Sequence, residues 1–224
     1  QKYAAIVLAA GSGKRMNSQV HKQYLIIQDR PVLYYSLKEF EDSAVDEIVL
    51  VVGKGEEEFC RREIVDKYGI SKVKAIVEGG KERYHSVFEG LKQTSDADYV
   101  LIHDGARPFV NQDIIRRCMQ EVQKYQACVV GMPVKDTIKI ADEEGYAKQT
   151  PDRKNVWMIQ TPQTFSYALI YEAYEEMLKT EDTAITDDAM VLERIKGKKS
   201  KLIEGSDRNI KITTPEDLLI ANVY

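Results

Sequence analysis

Cysteine, histidine and tryptophan are scarce in this chain of 224 residues, which holds three, three and one of them. Cys60, Cys118 and Cys128 form no CxxC pair and are odd in number, so they offer neither a disulfide framework nor a cysteine metal site. His21, His85 and His103 show no ligand spacing, which sets aside a histidine zinc centre. Long apolar runs are missing as well. The longest early one, Ala4 to Ala10, is far too short to span a bilayer. Lys2 before it and Gly11-Ser12-Gly13-Lys14-Arg15 after it do not read as a secretory signal. Charge of one sign is also missing: 32 Lys and Arg stand against 36 Asp and Glu, a net charge of −4. That balance argues against a general binder of nucleic acid, though a few local cations suffice for a small phosphorylated substrate. The expectation is a reduced, cytoplasmic protein with no membrane and no nucleic-acid partner.

What is present is an average hydrophobic share of 43% with 30% charged residues, the composition of a soluble globular domain. Residues Tyr3–Leu8, Glu47–Val52, Val73–Val77, Tyr99–His103 and Cys128–Met132 are dense in Val, Ile and Leu without polar alternation. Strands buried on both faces of a parallel sheet read this way. Between them, Glu56–Tyr68, Tyr84–Gln93 and Asp113–Tyr125 carry helical spacing, and Pro31 suits a helix first turn. Repeated β-α units predict an α/β three-layer sandwich around a mostly parallel, twisted sheet, with ligands at the carboxyl ends of the strands. The pattern changes after Met132. Val134–Ile140 alternates, Asp142-Glu143-Glu144-Gly145 supplies a turn, and polar residues follow to Trp157. This predicts a protruding β-hairpin arm at about 134–157, which would rest on a second subunit because an isolated hairpin is marginal in water. Helices resume at Ser166–Lys179 and after Thr186, the latter closed by Gly197. A strand lies near Lys201–Glu204, and Thr214-Pro215-Glu216-Asp217 starts a last helix. Without repeat or linker, the chain reads as a single domain over 1–224.

The chemistry-bearing segments sit at predicted strand ends. Leu8-Ala9-Ala10-Gly11-Ser12-Gly13-Lys14-Arg15-Met16 follows the first strand. Its small residues let backbone N–H groups approach a phosphate, and Lys14, Arg15 and Lys22 add positive charge. It is not the phosphate loop of NTPases, and Met16 spoils a dinucleotide fingerprint. Glu78-Gly79-Gly80-Lys81-Glu82-Arg83 reads equally as a turn or as a close approach to a flat ligand such as a base. His103-Asp104-Gly105-Ala106-Arg107-Pro108 ends the fourth strand. Asp104 beside a phosphate loop suits Mg²⁺, which takes carboxylate and phosphate oxygens, while an Asp–Arg pair is the plainer account. His103 reads as structural. Lys135-Asp136-Thr137, Asp152-Arg153, Thr161-Pro162-Gln163, Thr186-Asp187-Asp188 and Asn209-Ile210-Lys211 are weak singly.

In order along the whole chain, these segments, with Lys22-Gln23-Tyr24 and Gly79-Gly80…Arg83…Ser86, resemble the 2-C-methyl-D-erythritol 4-phosphate cytidylyltransferase family. The resemblance implies a nucleotide-diphospho-sugar transferase-like fold with a dimerisation arm. It implies CMP transfer from CTP to a polyol phosphate, with Mg²⁺ and release of pyrophosphate, in non-mevalonate isoprenoid biosynthesis. Carried over, Ala9, Ala10, Gly11, Ser12 and Gly13 would wrap the triphosphate, and Gly80, Lys81, Ser86 and Gly105 would line the cytidine. Arg15 and Lys22 would be the catalytic cations and Asp104 the metal ligand. Arg107, Thr137, Thr161, Thr186 and Lys211 would meet the acceptor, with Arg153 reaching in from the other subunit of a homodimer. The chain departs from the family pattern at His21, where Pro is usual, at Gly105, where Ala is common, and at Lys81, where an acid is often seen. The alternatives are the sister family of ribitol-5-phosphate cytidylyltransferases and a non-catalytic nucleotide-binding protein. No Ser, Cys or His nucleophile is needed, because a phosphate monoester is already an anion at neutral pH.

Overall fold

The computed structural model describes residues 1–11, 21–182 and 184–224. Seven strands form one sheet. In chain order they are β1 (Tyr3–Ala9), β4 (Glu47–Val52), β5 (Val73–Glu78), β6 (Tyr99–Asp104), β7 (Ala127–Pro133), β10 (Trp157–Ser166) and β11 (Lys201–Glu204). Across the sheet the order is β11-β7-β10-β6-β1-β4-β5. β1 runs parallel to β4 and β6, β4 to β5, and β11 to β7; only β10 is antiparallel to its neighbours β6 and β7.

Both faces of these strands are apolar, and successive residues feed two separate cores. Ala5, Val7, Leu50 and Leu101 pack on one side with Leu33, Leu37 and Phe40 of α1 (Val32–Glu41) and Ile114, Ile115 and Cys118 of α4 (Gln112–Tyr125). The α2 segment (Glu57–Cys60), continued by a π-helical stretch over Arg61–Asp66, covers the same side through Cys60, Ile64 and Val65. Ala4, Ile6, Leu8, Val49 and Val51 pack on the other side with α3 (Arg83–Leu91), α5 (Tyr167–Met177) and α6 (Asp188–Lys196). This is why the strands carry no polar alternation: each residue, odd or even, meets a helix layer. A two-stranded ribbon, β2 (Ile26–Ile27) with β3 (Arg30–Pro31), packs with the last helix α7 (Pro215–Val223) through Ile27, Ile212 and Ala221.

Local capping follows the sequence signals. Thr214 accepts from the Asp217 N–H at the start of α7, while Asp217 reciprocates toward the Thr214 N–H. Gly197 ends α6 with φ +62°, a left-handed conformation that glycine adopts without a Cβ penalty. The three cysteines are buried and free. Among the described residues, no helix is long and apolar enough to cross a membrane.

Two segments differ from what their sequence suggests. The segment Thr161-Pro162-Gln163 lies inside the ten-residue β10, in the middle of the sheet. Its polar residues hide it: Gln160, Thr161, Gln163 and Thr164 are all buried, and a proline ordinarily argues against a central strand. Pro162 is accommodated because the ladder to β7 shifts register between Ile159 and Gln163, so no ladder donor is required of it. The second difference concerns the hairpin. Pairing is confined to β8 (Ile140–Ala141) and β9 (Ala147–Gln149), not the run from Val134. At its base, Val134 donates to the Val156 carbonyl (2.9 Å) and Arg153 to the Lys135 carbonyl (2.9 Å); residues 139–150 are exposed.

Candidate active site

The carboxyl ends of β1, β5 and β6 open onto one cavity of about 170 Å³, lined by Ala9, Ala10, Gly11, Lys22, Gly80, Lys81 and Ser86, with Asp104 and Lys211. The chain leaving β1 is pinned from inside: buried Gln23 donates to the carbonyls of Ala9 (2.5 Å) and Gly11 (2.9 Å), which fixes the course of this exit. The paired glycines have a steric reason. A Cβ on Gly79 would lie 2.4 Å from the Ser86 hydroxyl and 2.7 Å from the Ala10 Cβ, closer than real atoms sit. The Ser86 hydroxyl in turn accepts from the Gly80 N–H at 3.1 Å, fixing the turn that borders the cavity.

A second cavity of about 340 Å³ adjoins the first and shares Arg83, Asp104 and Lys211 with it; Arg107, Thr161, Gln163, Thr186 and Asp187 complete its wall. Asp104 stands where the two meet. Its Oδ1 accepts from Arg83 Nε at 3.1 Å, and its Oδ2 lies 3.4 Å from Lys211 Nζ and 3.9 Å from Arg107 Nε. Burial alone would push the carboxyl up. The three cations Arg83, Lys211 and Arg107 outweigh burial and hold it well below the ordinary carboxylate range, so it is ionised at any working pH. Among the described residues, the two cavity walls carry five cations, Lys22, Lys81, Arg83, Arg107 and Lys211, against three acids, Glu82, Asp104 and Asp187, an excess suited to polyanionic ligands.

The wall behind Asp104 is a hydrogen-bond network that ties three segments together. Thr161 Oγ1 accepts from the Asp104 N–H (3.1 Å); because His103 Nε2 faces a carbonyl, which can only accept, Nδ1 of the neutral ring is an acceptor and takes the Thr161 hydroxyl proton (2.8 Å). The ring's own proton is on Nε2, which donates to the Arg107 carbonyl at 3.1 Å. His103 is fully buried, and burial pushes its pKa down to about 4; it is a neutral structural group, as expected from the sequence. The Thr161 hydroxyl is thus committed to the loop itself. Asn209 donates to the Thr161 carbonyl (2.9 Å), and its own carbonyl accepts from Arg107 (2.7 Å), which joins the last strand-end loop to the fourth.

Gln163 has the largest unforeseen structural role. Its Oε1 accepts from the N–H groups of both Asp188 and Ala189 at 3.0 Å, while the N-cap Asp187 accepts from Met190 at 2.9 Å. Three of the four unpaired donors that open a helix are satisfied in this way, two of them from a strand. Arg83, to which the sequence motif gives no role, lines both cavities and bridges Asp104 and Asp188. Spacing alone could not reveal that, because Asp188 lies 105 positions away.

The remaining predicted residues are distributed as follows. Thr137 and Arg153 are exposed at the base of the hairpin and line neither cavity. Gly105 is enclosed behind the cavity floor, its N–H donating to the Leu8 carbonyl at 2.8 Å. Ser12, Gly13 and Arg15 lie outside the described residues. A larger cavity of about 520 Å³ opens near Tyr3, Ala44 and Met119, at the opposite end of the strands, and holds none of the predicted residues.

Among the described residues there is no cluster of three or more His, Cys, Asp or Glu side chains that could hold a metal ion. The donor set at the cavity junction is one ionised carboxylate, Asp104. Mg²⁺ is commonly held by one or two carboxylates together with substrate phosphates and waters, so this donor set fits it as a nucleotide-borne ion and not as a caged one.

A glycine-bearing exit from β1, an acidic residue at the end of β6 and two adjoining cation-rich cavities define the class: a nucleotidyltransferase built on a three-layer α/β sandwich. The comparisons agree. The family model for 2-C-methyl-D-erythritol 4-phosphate cytidylyltransferase (IspD) matches residues 3–224. A protein of that name from Lachnospira eligens is 53% identical over 222 residues, covering 98% of this chain and 97% of its own. One from Lachnoclostridium phytofermentans is 50% identical over 221 residues, covering 99% and 95%. The crystal structure of 4-diphosphocytidyl-2C-methyl-D-erythritol synthase from Anaerococcus prevotii superposes with a TM-score of 0.89 at 37% identity, over 100% of this chain and 96% of that one. The Thermus thermophilus cytidylyltransferase gives 0.78 at 30% identity, over 97% and 96%. The chain belongs to the 2-C-methyl-D-erythritol 4-phosphate cytidylyltransferase family.

Proposed function

We propose that this chain transfers CMP from CTP to 2-C-methyl-D-erythritol 4-phosphate, giving 4-diphosphocytidyl-2-C-methyl-D-erythritol and pyrophosphate in isoprenoid biosynthesis. The observation that carries the reading is the pair of cavities joined at Asp104, Arg83 and Lys211, one against the glycine-bearing loop and one against Arg107 and Thr186. Two anionic reactants must be brought together, and two adjoining cation-lined spaces suit that task. An oxygen of the acceptor phosphate attacks the α-phosphorus of CTP, and the bond from that phosphorus to the bridging oxygen of pyrophosphate breaks. The nucleophile is already deprotonated, so the protein supplies position and charge, not a base. Lys22, with Arg15, neutralises the α-phosphate oxygens; Arg107 and Lys211 hold the acceptor phosphate. Asp104 would hold Mg²⁺, whose chemistry is to neutralise charge on the triphosphate.

Gly80, Lys81 and Ser86 line the nucleotide side, and the backbone at Ala9, Ala10 and Gly11, with Ser12 and Gly13, cradles the phosphates. Gly105 supports that floor from behind. Thr161 and Thr186 border the acceptor, Thr161 through its backbone and methyl group because its hydroxyl is engaged. Thr137 and Arg153 serve a second copy of the chain, since they stand outside both cavities at the foot of an exposed hairpin. The working form is then a cytoplasmic homodimer of single-domain subunits covering 1–224, joined through the arm at about 134–157.

The deciding experiment measures pyrophosphate release from CTP and Mg²⁺ with methylerythritol phosphate and ribitol 5-phosphate side by side. Release with the first alone is expected. Release with the second alone would move the acceptor assignment to the sister family, and silence with both would overturn the catalytic reading. Light scattering should give twice the 25.6 kDa subunit mass; a clean monomer would remove Arg153 and Thr137 from the site.

A further inference from the structure

Arg83 opens α3 and reaches two carboxylates with unequal grips. Its Nη1 and Nη2 donate to Oδ1 and Oδ2 of Asp188 at 3.0 and 3.1 Å, a two-pronged contact that a planar guanidinium can make and an ammonium cannot. What remains for Asp104 is the Nε alone, 3.1 Å from Oδ1. The second oxygen, Oδ2, is left toward Lys211 and Arg107 at the junction of the cavities. Asp188 cannot turn away from this arrangement. It is wholly buried, the Tyr174 hydroxyl donates to its Oδ1, and Gln163 holds its backbone N–H. The orientation of the carboxylate that stands where the two cavities meet is therefore set by a second carboxylate sealed behind it.

We propose that Arg83 is a positioning residue: clamped on Asp188, it engages a single oxygen of Asp104 and leaves the other directed at the bound nucleotide phosphates. The inference rests on the nucleotidyl-transfer reading of this site. Its physical content is competition for the Asp104 oxygens. A guanidinium released from Asp188 can take both of them in a fork of its own, and the carboxylate would then be closed to a phosphate-borne divalent ion. An ammonium at position 83 keeps the charge but cannot hold both carboxylates at these angles. Outer partners that orient a metal-binding group commonly change metal affinity or activity by about 10–100-fold when altered.

The test uses Asp188→Asn and Arg83→Lys in the full chain. Three quantities are read: CTP affinity by calorimetry with and without Mg²⁺, thermal unfolding of the ligand-free protein, and kcat and KM with both substrates. Both variants should lose about tenfold or more of the gain in CTP affinity that Mg²⁺ brings, with kcat down by about 10–100-fold. CTP affinity without Mg²⁺ and the acceptor KM should stay within about twofold. A wild-type Mg²⁺ gain and kcat in Arg83→Lys would overturn the proposal, because charge alone would then suffice. Equal weakening of CTP with and without Mg²⁺, in step with a lower unfolding temperature, would also overturn it, leaving Arg83 a purely structural residue. Should Asp188→Asn fail to fold, Arg83→Lys carries the decision by itself. If the wild-type protein turns over neither acceptor yet the variants lose the Mg²⁺ gain, the acceptor reading fails and the positioning role stands. A wild-type protein that binds no CTP overturns both.

Discussion

Replacing Gln163 with leucine separates a helix from the strand that caps it, and the cost can be worked from the contacts. The side chain is 1% exposed, so water cannot take over its partners. Its carbonyl oxygen serves two N–H groups, those of Asp188 and Ala189. Leaving a buried donor unpaired costs about 1–3 kcal/mol, so the two together cost about 2–6 kcal/mol. Burial of the leucine side chain returns about 1.5–3 kcal/mol. The net loss is on the order of 2 kcal/mol, or about 4–8 °C in unfolding temperature for a chain of this size. Asp187→Ala supplies the internal scale. It removes the side-chain acceptor of one backbone N–H, that of Met190, together with a 3.2 Å bond from Gln163 Nε2, and N-cap truncations typically cost about 1 kcal/mol. Differential scanning calorimetry should therefore rank Gln163→Leu below Asp187→Ala. Amide exchange at Asp188 and Ala189 should accelerate more than at Leu192, one turn further along α6. Thr186 and Asp187 line the acceptor-side cavity just before this helix, so the acceptor KM should rise while CTP binding holds. An unfolding temperature within about 1 °C of wild type, or unchanged exchange at both amides, would refute the capping argument.

His103 makes stability depend on pH with a definite sign. Its folded pKa, pushed down by burial to about 4, lies below the ordinary 6.5, so the unfolded chain binds the extra proton between those values. The contribution, about 3 kcal/mol, is complete above pH 6.5 and is lost as pH falls toward 4; His103→Asn should flatten that part of the stability curve, and an unchanged slope would contradict the buried neutral imidazole. Gly105→Ala places a Cβ 2.8 Å from the Leu8 carbonyl oxygen and 2.9 Å from Leu33, so denaturant unfolding should show a loss of about 1–3 kcal/mol despite the small change. Deleting residues 140–149 removes exposed hairpin and little core, so light scattering should report a folded monomer at an unfolding temperature close to that of wild type.

The parts of this molecule that were legible in the sequence are those where local chemistry and tertiary demand agree. Glu47–Val52 matches its predicted bounds, because a run of β-branched residues buried on two faces admits little else, and Lys201–Glu204 matches as an edge strand that buries only Ile203. Strand ends carrying glycine or an acid at Gly11, Gly80 and Asp104 do converge, since parallel strands deliver their carboxyl ends to one edge. β10 was not legible, because its burial is satisfied by hydrogen bonds instead of hydrocarbon. Gln160 donates to the Ser206 carbonyl and accepts from Asn209, Thr161 serves Asp104 and His103, and Gln163 serves α6. A polar run with a proline looks like a loop until its partners, on three other segments, are known.

The same reason hides Arg83. A guanidinium three residues past a Gly-Gly turn reads as another substrate cation. Here its two strongest contacts are a fork on Asp188, a residue that local reading makes a helix-start acid with no function. Of the cations around Asp104, only Arg83 is tied into the wall by a second, fully buried carboxylate; Lys211 and Arg107 stand on the cavity side of Asp104 Oδ2. This divides the positive charge by task. Lys211 can give its charge to an incoming phosphate, whereas Arg83 spends most of its hydrogen bonding on holding the wall and one oxygen of Asp104; Arg107 stands between the two, with Nη1 donating to the Asn209 carbonyl. On this division, Lys211→Ala should raise the acceptor KM without disturbing the unfolding temperature. Arg83→Ala should lower the unfolding temperature too, because it strands the carboxylate of Asp188 in the core, and removing one partner of a buried pair costs about 3–5 kcal/mol. Equal stability of the two variants, measured by calorimetry on ligand-free protein, would show that the cations at this site are interchangeable and that the division is wrong.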